Sequence, residues 1–312
     1  MKRWRGKAEW LLFAAIIVIA VIIWLLVRHT NIDVLSPQGV IAAQQKTLLI
    51  VALLMSAIVI IPVFFMLGFF AYKYRADKEP EDYDPEWKEN SKLEIVWWGI
   101  PMDIIGVLAV ITWFTSHSLD PYKSIASKHP AVNVQVVALQ WKWLFLYPDD
   151  GLATVNYVMM PKDVPVRFRL TADAPMSAFW IPSLGSQIYN MNGMSSELNL
   201  MATKNGTYKG YSTNINGEGY SDMKFDAKVV SHDAFHDWIT RKQQNLSLPA
   251  MNEAAFIQLR KPSQNNPQAT YHLQDNSLYQ TILAHYMGAS TSVSTGQTGT
   301  MNTMNMTYGG HN

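Results

Sequence analysis

Cysteine is missing altogether from these 312 residues. Its absence excludes disulfides, thiolate nucleophiles, Cys-ligated zinc and iron–sulfur clusters, and it leaves no site for an N-terminal lipidated cysteine. Charge is also scarce. Only 16% of residues are Asp, Glu, Lys or Arg, and the formal net charge is +1, whereas proteins that grip a phosphate backbone are usually strongly basic, so no nucleic-acid partner is expected. No GxxxxGK[ST], GxSxG or HExxH pattern occurs, so phosphate-cradling, serine-hydrolase and zincin chemistry lack the residues they need.

What is present is apolar. Hydrophobic residues make up 49% of the chain, more than in an ordinary soluble protein, which directs attention to membrane segments. Leu11 to Val27, "LLFAAIIVIAVIIWLLV", runs unbroken behind the basic start "MKRWRGK", and at ~1.5 Å per residue it gives roughly 26 Å of helix. With Trp10 it just spans. A cleaved signal peptide would have a shorter apolar region followed by small residues. Here "RHTNID" follows, so the segment is expected to remain as a signal-anchor or transmembrane helix.

A second run, Thr47 to Tyr72, is long enough to span with tilt, and its Pro62 is tolerable in a membrane helix. The third, Ile95 to Thr115, has Trp97 and Trp98 at one end and Trp113 near the other, where interfacial aromatic belts are expected. Lys2, Arg3, Arg5 and Lys7 precede the first run, and Lys73, Arg75, Lys78, Lys88 and Lys92 lie between the second and third. The remaining loop holds only Arg28 and Lys46. The positive-inside rule therefore puts the two basic segments in the cytoplasm and everything after Thr115 outside. Asp103 interrupts the third run. An ionised acid near the midplane costs about 2.5–3.5 kcal/mol on insertion scales, so it must face protein, water or a proton. It reads either as a proton-path residue or as a buried acid hydrogen-bonded to a neighbouring helix.

From Ala131 the period changes to two. "VNVQVVALQWKWLFLYP" alternates as a strand pair at an edge with one buried face, and "YVMMPKDVPVRFRLTA" and "SELNLMATKNGTYKGYS" continue in short runs bounded by turn residues. The spacing is that of a small antiparallel sandwich. Helical texture returns after Ser231 in "HDAFHDWITRKQQ", "MNEAAFIQLR" and "NSLYQTILAHYM", expected as peripheral helices. His232 and His236 stand four apart there with Asp233 and Asp237 beside them, a spacing able to present two imidazoles to one metal or to decorate a solvated face. From Gly288 the Ser, Thr, Gly and Asn-rich tail cannot bury enough surface to order itself. Its Met301, Met304, Met306 and His311 are potential Cu(I) ligands.

The segment "GYSTNINGEGYSDM", residues 210 to 223, has the rhythm of a metal-wrapping loop but contains neither Cys nor His. Together with "KLEIVWWGIP", "QWKWLFLYP" and "FWIPSLGSQIYNMNGM", in this order and spacing, it resembles subunit II of the haem-copper respiratory oxidases over about Leu35 to Val230. That resemblance implies a cupredoxin-like sandwich outside the membrane. Members that take electrons from cytochrome c hold a two-copper centre with a His on one loop and a Cys-x-Glu-x-Cys-x3-His-x2-Met set on another. The matching positions here are Ser177, Ser212, Asn214, Asn216, Tyr220 and Met223, and only Met223 keeps a ligand's identity. Thiolate and imidazole hold that copper, so no metal is expected at these positions. Trp141 and Trp143, where such relatives use aromatics near the incoming electron, read instead as packing.

The pattern is similar to the quinol oxidases of the cytochrome bo type, with "GSQIYNMNGM" and "SDMKF" especially like that branch. The implied protein is subunit II of a proton-pumping ubiquinol:oxygen oxidoreductase, without catalytic residues of its own. Haems, copper and ubiquinol would reside mainly on subunit I, with smaller subunits III and IV as further partners. Glu94 matches the acid near the mouth of a proton channel in subunit I, and otherwise reads as an interfacial anchor paired with Lys92. Lipoprotein members of the branch carry a lipidated N-terminal Cys that is absent here, and a retained first span would replace that anchor.

The expected class is membrane α plus all-β, in a bacterial inner membrane. Residues 1–30 form an N-terminal span, 31–115 a transmembrane hairpin, 116–230 a periplasmic sandwich, 231–287 a C-terminal helical extension and 288–312 a disordered Met-containing tail. The competing class is a membrane-tethered cupredoxin-like binding module, such as a copper carrier working through that tail.

Overall fold

The computed structural model describes residues 32–75 and 89–287, with isolated positions 18, 21, 22, 25 and 28. Most of the first apolar run, most of the loop after Lys73 and the Met-containing tail thus lie outside the described residues. The other two runs form long helices, α1 at Val40–Lys73 and α2 at Ser91–Ser118. The 34 residues of α1 extend about 51 Å, well over the roughly 30 Å of a bilayer's hydrocarbon core. Pro62 lies within α1 and Pro101 within α2. The Asn90 side chain caps α2 by accepting from the N–H groups of Lys92 and Leu93, both at 3.2 Å. Glu94 in the first turn complements the positive end of the helix. Phe64, Phe65, Ile95 and Trp97 are exposed on these helices. So large an apolar surface is stable against lipid or a partner subunit and not against water.

The sandwich that follows has two sheets. Its strands are β1 (Val132–Leu139), β2 (Lys142–Tyr147), β3 (Leu152–Val155), β4 (Tyr157–Pro161), β5 (Val166–Ala172), β6 (Ser177–Trp180), β7 (Ile188–Asn190), β8 (Ser196–Leu200), β9 (Gly206–Ser212), β10 (Lys224–Val230), β11 (Ala250–Met251) and β12 (Ala269–Leu273). The seven-stranded sheet runs β11-β12-β3-β2-β1-β5-β8 and the five-stranded sheet β4-β10-β9-β6-β7. Helices α3 (His232–Gln243), α4 (Glu253–Leu259) and α5 (Leu278–Met287) lie in the C-terminal part.

The sandwich matches the sequence reading, but three of its details do not. The sheets are mixed, because β1 pairs with β5, β4 with β10 and β11 with β12 in parallel. The β1–β2 pair is central and buried on both faces, not an edge with one buried face. Both parities of its sequence are apolar, and each has its own core. Val134, Val136, Ala138, Trp143, Phe145 and Tyr147 point between the sheets. Val137, Leu139, Leu144 and Leu146 point outward against Met251, Phe256, Leu273, Leu278, Tyr279 and Ile282. Finally, the segment after Ser231 is not helical alone: β12 pairs with β3 and extends the larger sheet.

The start of α1 is fastened to the sandwich through backbone contacts. The Gln38 N–H donates to the Ser183 carbonyl at 2.7 Å, the Ala42 N–H to Leu184 at 3.1 Å, and the Thr203 N–H to Gln38 at 2.8 Å. A Cβ on Gly39 would lie 2.5 Å from the Leu184 carbonyl oxygen, so glycine permits this approach.

Two carboxylates on the sheet surfaces make stability pH-dependent. Burial alone would raise the pKa of Asp226, but Lys209 at 2.6 Å and Gln268 at 2.7 Å, with the charges of Lys209 and Lys228, hold it below the usual range. Burial of Glu197 is likewise outweighed by hydrogen bonds from Arg167 at 2.6 Å and Asn199 at 3.1 Å and by the charges of Arg167 and Arg169. A depressed folded pKa means that the unfolded chain takes up the proton first. The stabilisation is therefore complete above the ordinary carboxylate range near pH 4 and is lost as pH falls through the depressed values. Replacing both groups, Asp226→Asn with Glu197→Gln, should flatten the fall in apparent Tm between about pH 5 and pH 3, as read by thermal scans of the detergent-solubilised protein.

Candidate functional site: two converging loops

The loop before β6 and the loop between β9 and β10 meet at one end of the smaller sheet. Their meeting is enforced by backbone hydrogen bonds. β6 pairs with β9, placing Phe179 opposite Ser212, and beyond the ladder the Thr213 N–H donates to the Ala178 carbonyl at 3.1 Å. The Asn214 amide then donates to the Met176 carbonyl at 2.8 Å, bringing the second loop beside Ser177.

The second loop closes on Met223. The Ser212 N–H donates to the Met223 carbonyl at 3.2 Å, and the Trp143 indole donates to the same oxygen at 3.5 Å. The Asn216 amide donates to the Met223 sulfur at 3.5 Å. The Ser212 hydroxyl donates to the Asn214 carbonyl at 3.3 Å. Tyr220 opens a short 3-10 turn, Tyr220–Asp222, whose last bond runs from the Met223 N–H to the Tyr220 carbonyl at 3.1 Å. Met223 is buried among the aromatic side chains of the sandwich core. The thioether thus sits inside a loop held by its own backbone and by amide side chains.

Trp141 and Trp143 divide the packing between them. Trp143 is fully buried and meets Phe179 and Phe225 edge to face, at centroid distances of 5.3 and 5.5 Å. Trp141 stands at the β1–β2 turn with φ of 63° and lies over the loop glycines. A Cβ on Gly219 would come within 2.4 Å of its indole, and one on Gly217, whose φ is +119°, within 3.1 Å. Those glycines let the indole lie flat on the loop.

Sequence reasoning passed over Asn190, which is the strand partner of Ser177 and is fully buried. Neither its amide nitrogen nor its amide oxygen has a partner among the described residues, and the same holds for the Ser177 hydroxyl and the Asn216 oxygen. Buried polar groups usually find partners, so these four atoms are exceptions. The only sequence signal was a second amide within "IYNMNGM". Asp173 was also passed over. Its Oδ1 accepts from Arg260 at 2.8 Å and from the Tyr286 hydroxyl at 2.6 Å, tying the first loop to the C-terminal segment.

Glu94 and Asp103 lie far from these loops in sequence, on α2. Both are exposed, and neither forms a side-chain hydrogen bond or ion pair among the described residues. Among the described residues Glu94 is not paired with Lys92, and Asp103 has no hydrogen bond to another helix.

Residues 150–231 match the family described as cytochrome c oxidase subunit II, periplasmic domain, and residues 247–290 match the COX aromatic rich motif. The second match covers β11, β12, α4 and α5, the elements that bury the outer face of β1 and β2. Cytochrome bo(3) ubiquinol oxidase subunit 2 of Pseudomonas putida is 41% identical over 85% of this chain and 83% of its own length. Ubiquinol oxidase subunit 2 of Acetobacter aceti is 40% identical over 84% of this chain and 85% of its own. Quinol oxidase subunit 2 of Bacillus cereus is 34% identical over 82% and 87%. With identity at this level over most of the chain, the protein belongs to the subunit II family of the haem-copper oxidases, in its ubiquinol oxidase branch.

Proposed function

We propose that this chain is the subunit II of a proton-pumping terminal oxidase that passes electrons from ubiquinol to oxygen, and that it acts as scaffold and assembly partner without carrying electrons. Haems, copper and ubiquinol belong mainly to subunit I in this reading, and subunits III and IV complete the membrane assembly. The basic segments face the cytoplasm of a bacterial inner membrane and the sandwich faces the periplasm. Residues 1–30 add a first span, the hairpin occupies 31–115, the sandwich 116–230 and its extension 231–287, leaving 288–312 as a polar tail.

The observation that carries this reading is the donor set of the converging loops. A two-copper centre needs thiolate and imidazole. The positions that match its ligands present the Ser177 and Ser212 hydroxyls, the Asn214 and Asn216 amides, the Tyr220 phenol and the Met223 thioether. Asn214 and Asn216 already donate elsewhere, to a carbonyl and to the Met223 sulfur. These residues do not fit the copper centre. A loop of this shape persists because it packs: Met223 fills the core and Trp141 covers the glycines. Ubiquinol reaches its oxidase through the bilayer, so no water-exposed copper relay is needed.

Within the assembly, Glu94 is positioned by the first turn of α2 to collect protons at the cytoplasmic surface, and Asp103 faces the partner subunit, where it either carries a proton or is hydrogen-bonded. Metal analysis of the purified complex tests the central claim. Copper should be accounted for by subunit I alone, with oxygen uptake driven by quinol. A mixed-valence dicopper signal assigned to subunit II, or electron uptake from a soluble cytochrome, would overturn it.

A further inference from the structure

The His232 and His236 pair acquires a third imidazole in the fold. The two side chains stand one turn apart on the exposed face of α3, with their Nε2 atoms 3.3 Å apart and ring centroids 4.5 Å apart. Two nitrogen ligands placed ~2.0–2.1 Å from a tetrahedral zinc ion lie about 3.3–3.4 Å from each other. The pair therefore already has the spacing of a chelate. Asp233 lies on the far side of the first ring, with its Oδ1 3.8 Å from His232 Nδ1. A carboxylate facing the second ring nitrogen of a ligating histidine helps to present the first as the metal donor.

The third imidazole comes from elsewhere in the chain. His129 belongs to the connector between α2 and β1, and its ring centroid is 5.1 Å from that of His232, at an interplanar angle of 31°. The connector is held there locally: the His129 N–H donates to the Ser127 hydroxyl at 3.2 Å, and that hydroxyl lies 3.5 Å from the Asp163 carbonyl. All three histidines are exposed, so an ion in solution has free access. Asp150 senses the same locality. Burial and the charge of Asp149 raise its carboxyl pKa, while His236 acts in the opposite direction. Among the described residues no three imidazole or carboxylate groups yet converge on one point. His129 must therefore turn its ring to join the pair.

We propose that His232 and His236 chelate a borderline divalent cation of the zinc type, that His129 rotates in as the third ligand, and that water fills the remaining position. Imidazole suits Zn, Cu(II) and Ni(II), and the exposed setting with no thiolate disfavours Cu(I). The ion would tie together two parts of the chain whose rings already touch. One is the connector of residues 119–131, which carries the chain from the second membrane helix into β1. The other is the helix that follows β10. Binding would stiffen the junction between membrane and sandwich.

The test uses the intact detergent-solubilised complex, stripped with chelator and titrated with ZnCl2 by calorimetry. Hydrogen exchange of residues 119–131 is followed in parallel. Wild type should bind one zinc ion more than the His232→Ala/His236→Ala double variant. Either single variant should lose affinity by about tenfold or more. Zinc should slow exchange in the connector of wild type but not of His129→Ala, whose affinity also falls. Identical titrations for wild type and the double variant would overturn the proposal, leaving the pair as hydrogen-bonded imidazoles. Unaltered affinity and connector exchange in His129→Ala would overturn the third ligand. Quinol-driven oxygen uptake without zinc should be the same in all variants, which separates failure of this site from failure of the assembly.

Discussion

Phe179→Ala should lower the stability of the sandwich by roughly 3–5 kcal/mol, the usual effect of truncating a buried phenylalanine. The ring is fully buried, stacks on Phe225 at a centroid distance of 5.0 Å and 13° between planes, and meets Trp143 and Phe168 at 5.3 Å each. Phe179 and its four aromatic neighbours, Trp143, Phe145, Phe168 and Phe225, close the space between the two sheets. Four neighbours cannot collapse into the cavity together without moving strands from both sheets, so relaxation recovers little. For a unit of this size the loss corresponds to a fall in apparent Tm of about 10 °C. Ala178 accepts the hydrogen bond that fixes the second loop, so the converging loops should loosen with it. Thermal scans of the solubilised protein, with Phe179→Leu as a milder control, measure the effect. A shift below about 2 °C would mean that the core tolerates the cavity.

Lys142→Met should release the C-terminal extension while leaving the inter-sheet core intact. Lys142 is almost completely buried, and its Nζ donates to the carbonyls of Leu259 and Lys261, both at 2.8 Å, and to the Ser263 hydroxyl. Burial pulls its pKa below the ordinary lysine value. The acceptors lie at and just beyond the C-terminal end of α4, where carbonyls lack helical partners and a cation is favoured. Methionine keeps most of the apolar stem but no donor. Two orphaned carbonyls at ~1–3 kcal/mol each give an expected loss of roughly 3 kcal/mol, concentrated in the extension. Hydrogen exchange should therefore accelerate in residues 250–287 while the amides of β1 and β5 stay protected. Uniform acceleration would show that extension and sandwich unfold as one unit. The Asp173 contacts with Arg260 and Tyr286 form a second latch, which limits how far the segment can swing.

Much of the architecture could be read residue by residue. The runs from Thr47 and from Ile95 are apolar over lengths that only a spanning or deeply buried helix satisfies, and both fall inside helices. The strand sequences after Ala131 were recognisable from their alternation and turn residues. What misled was the β1–β2 segment. Strict alternation marks one buried face, but here both parities are apolar to different degrees, and the second parity is buried by residues more than a hundred positions later. Its outer cover was legible as helical texture, whereas the two short strands within it, β11 and β12, carry too few residues to show a period.

The loops show the same division. Which chemical groups stand at Ser177, Ser212, Asn214, Asn216, Tyr220 and Met223 follows from the sequence alone, because ligand identity is a property of the side chain. So do the absence of thiols and the lengths of the apolar runs, since these depend on composition and on a fixed rise per residue. The tertiary structure alone decided that Asn190 is buried beside Ser177, that Trp141 lies on Gly217 and Gly219, that Lys142 caps α4, and that His129 reaches His232. The last three join segments far apart in the chain and the first depends on the register of one strand pair; all are set by how two sheets and an extension exclude water together, and no local periodicity encodes them.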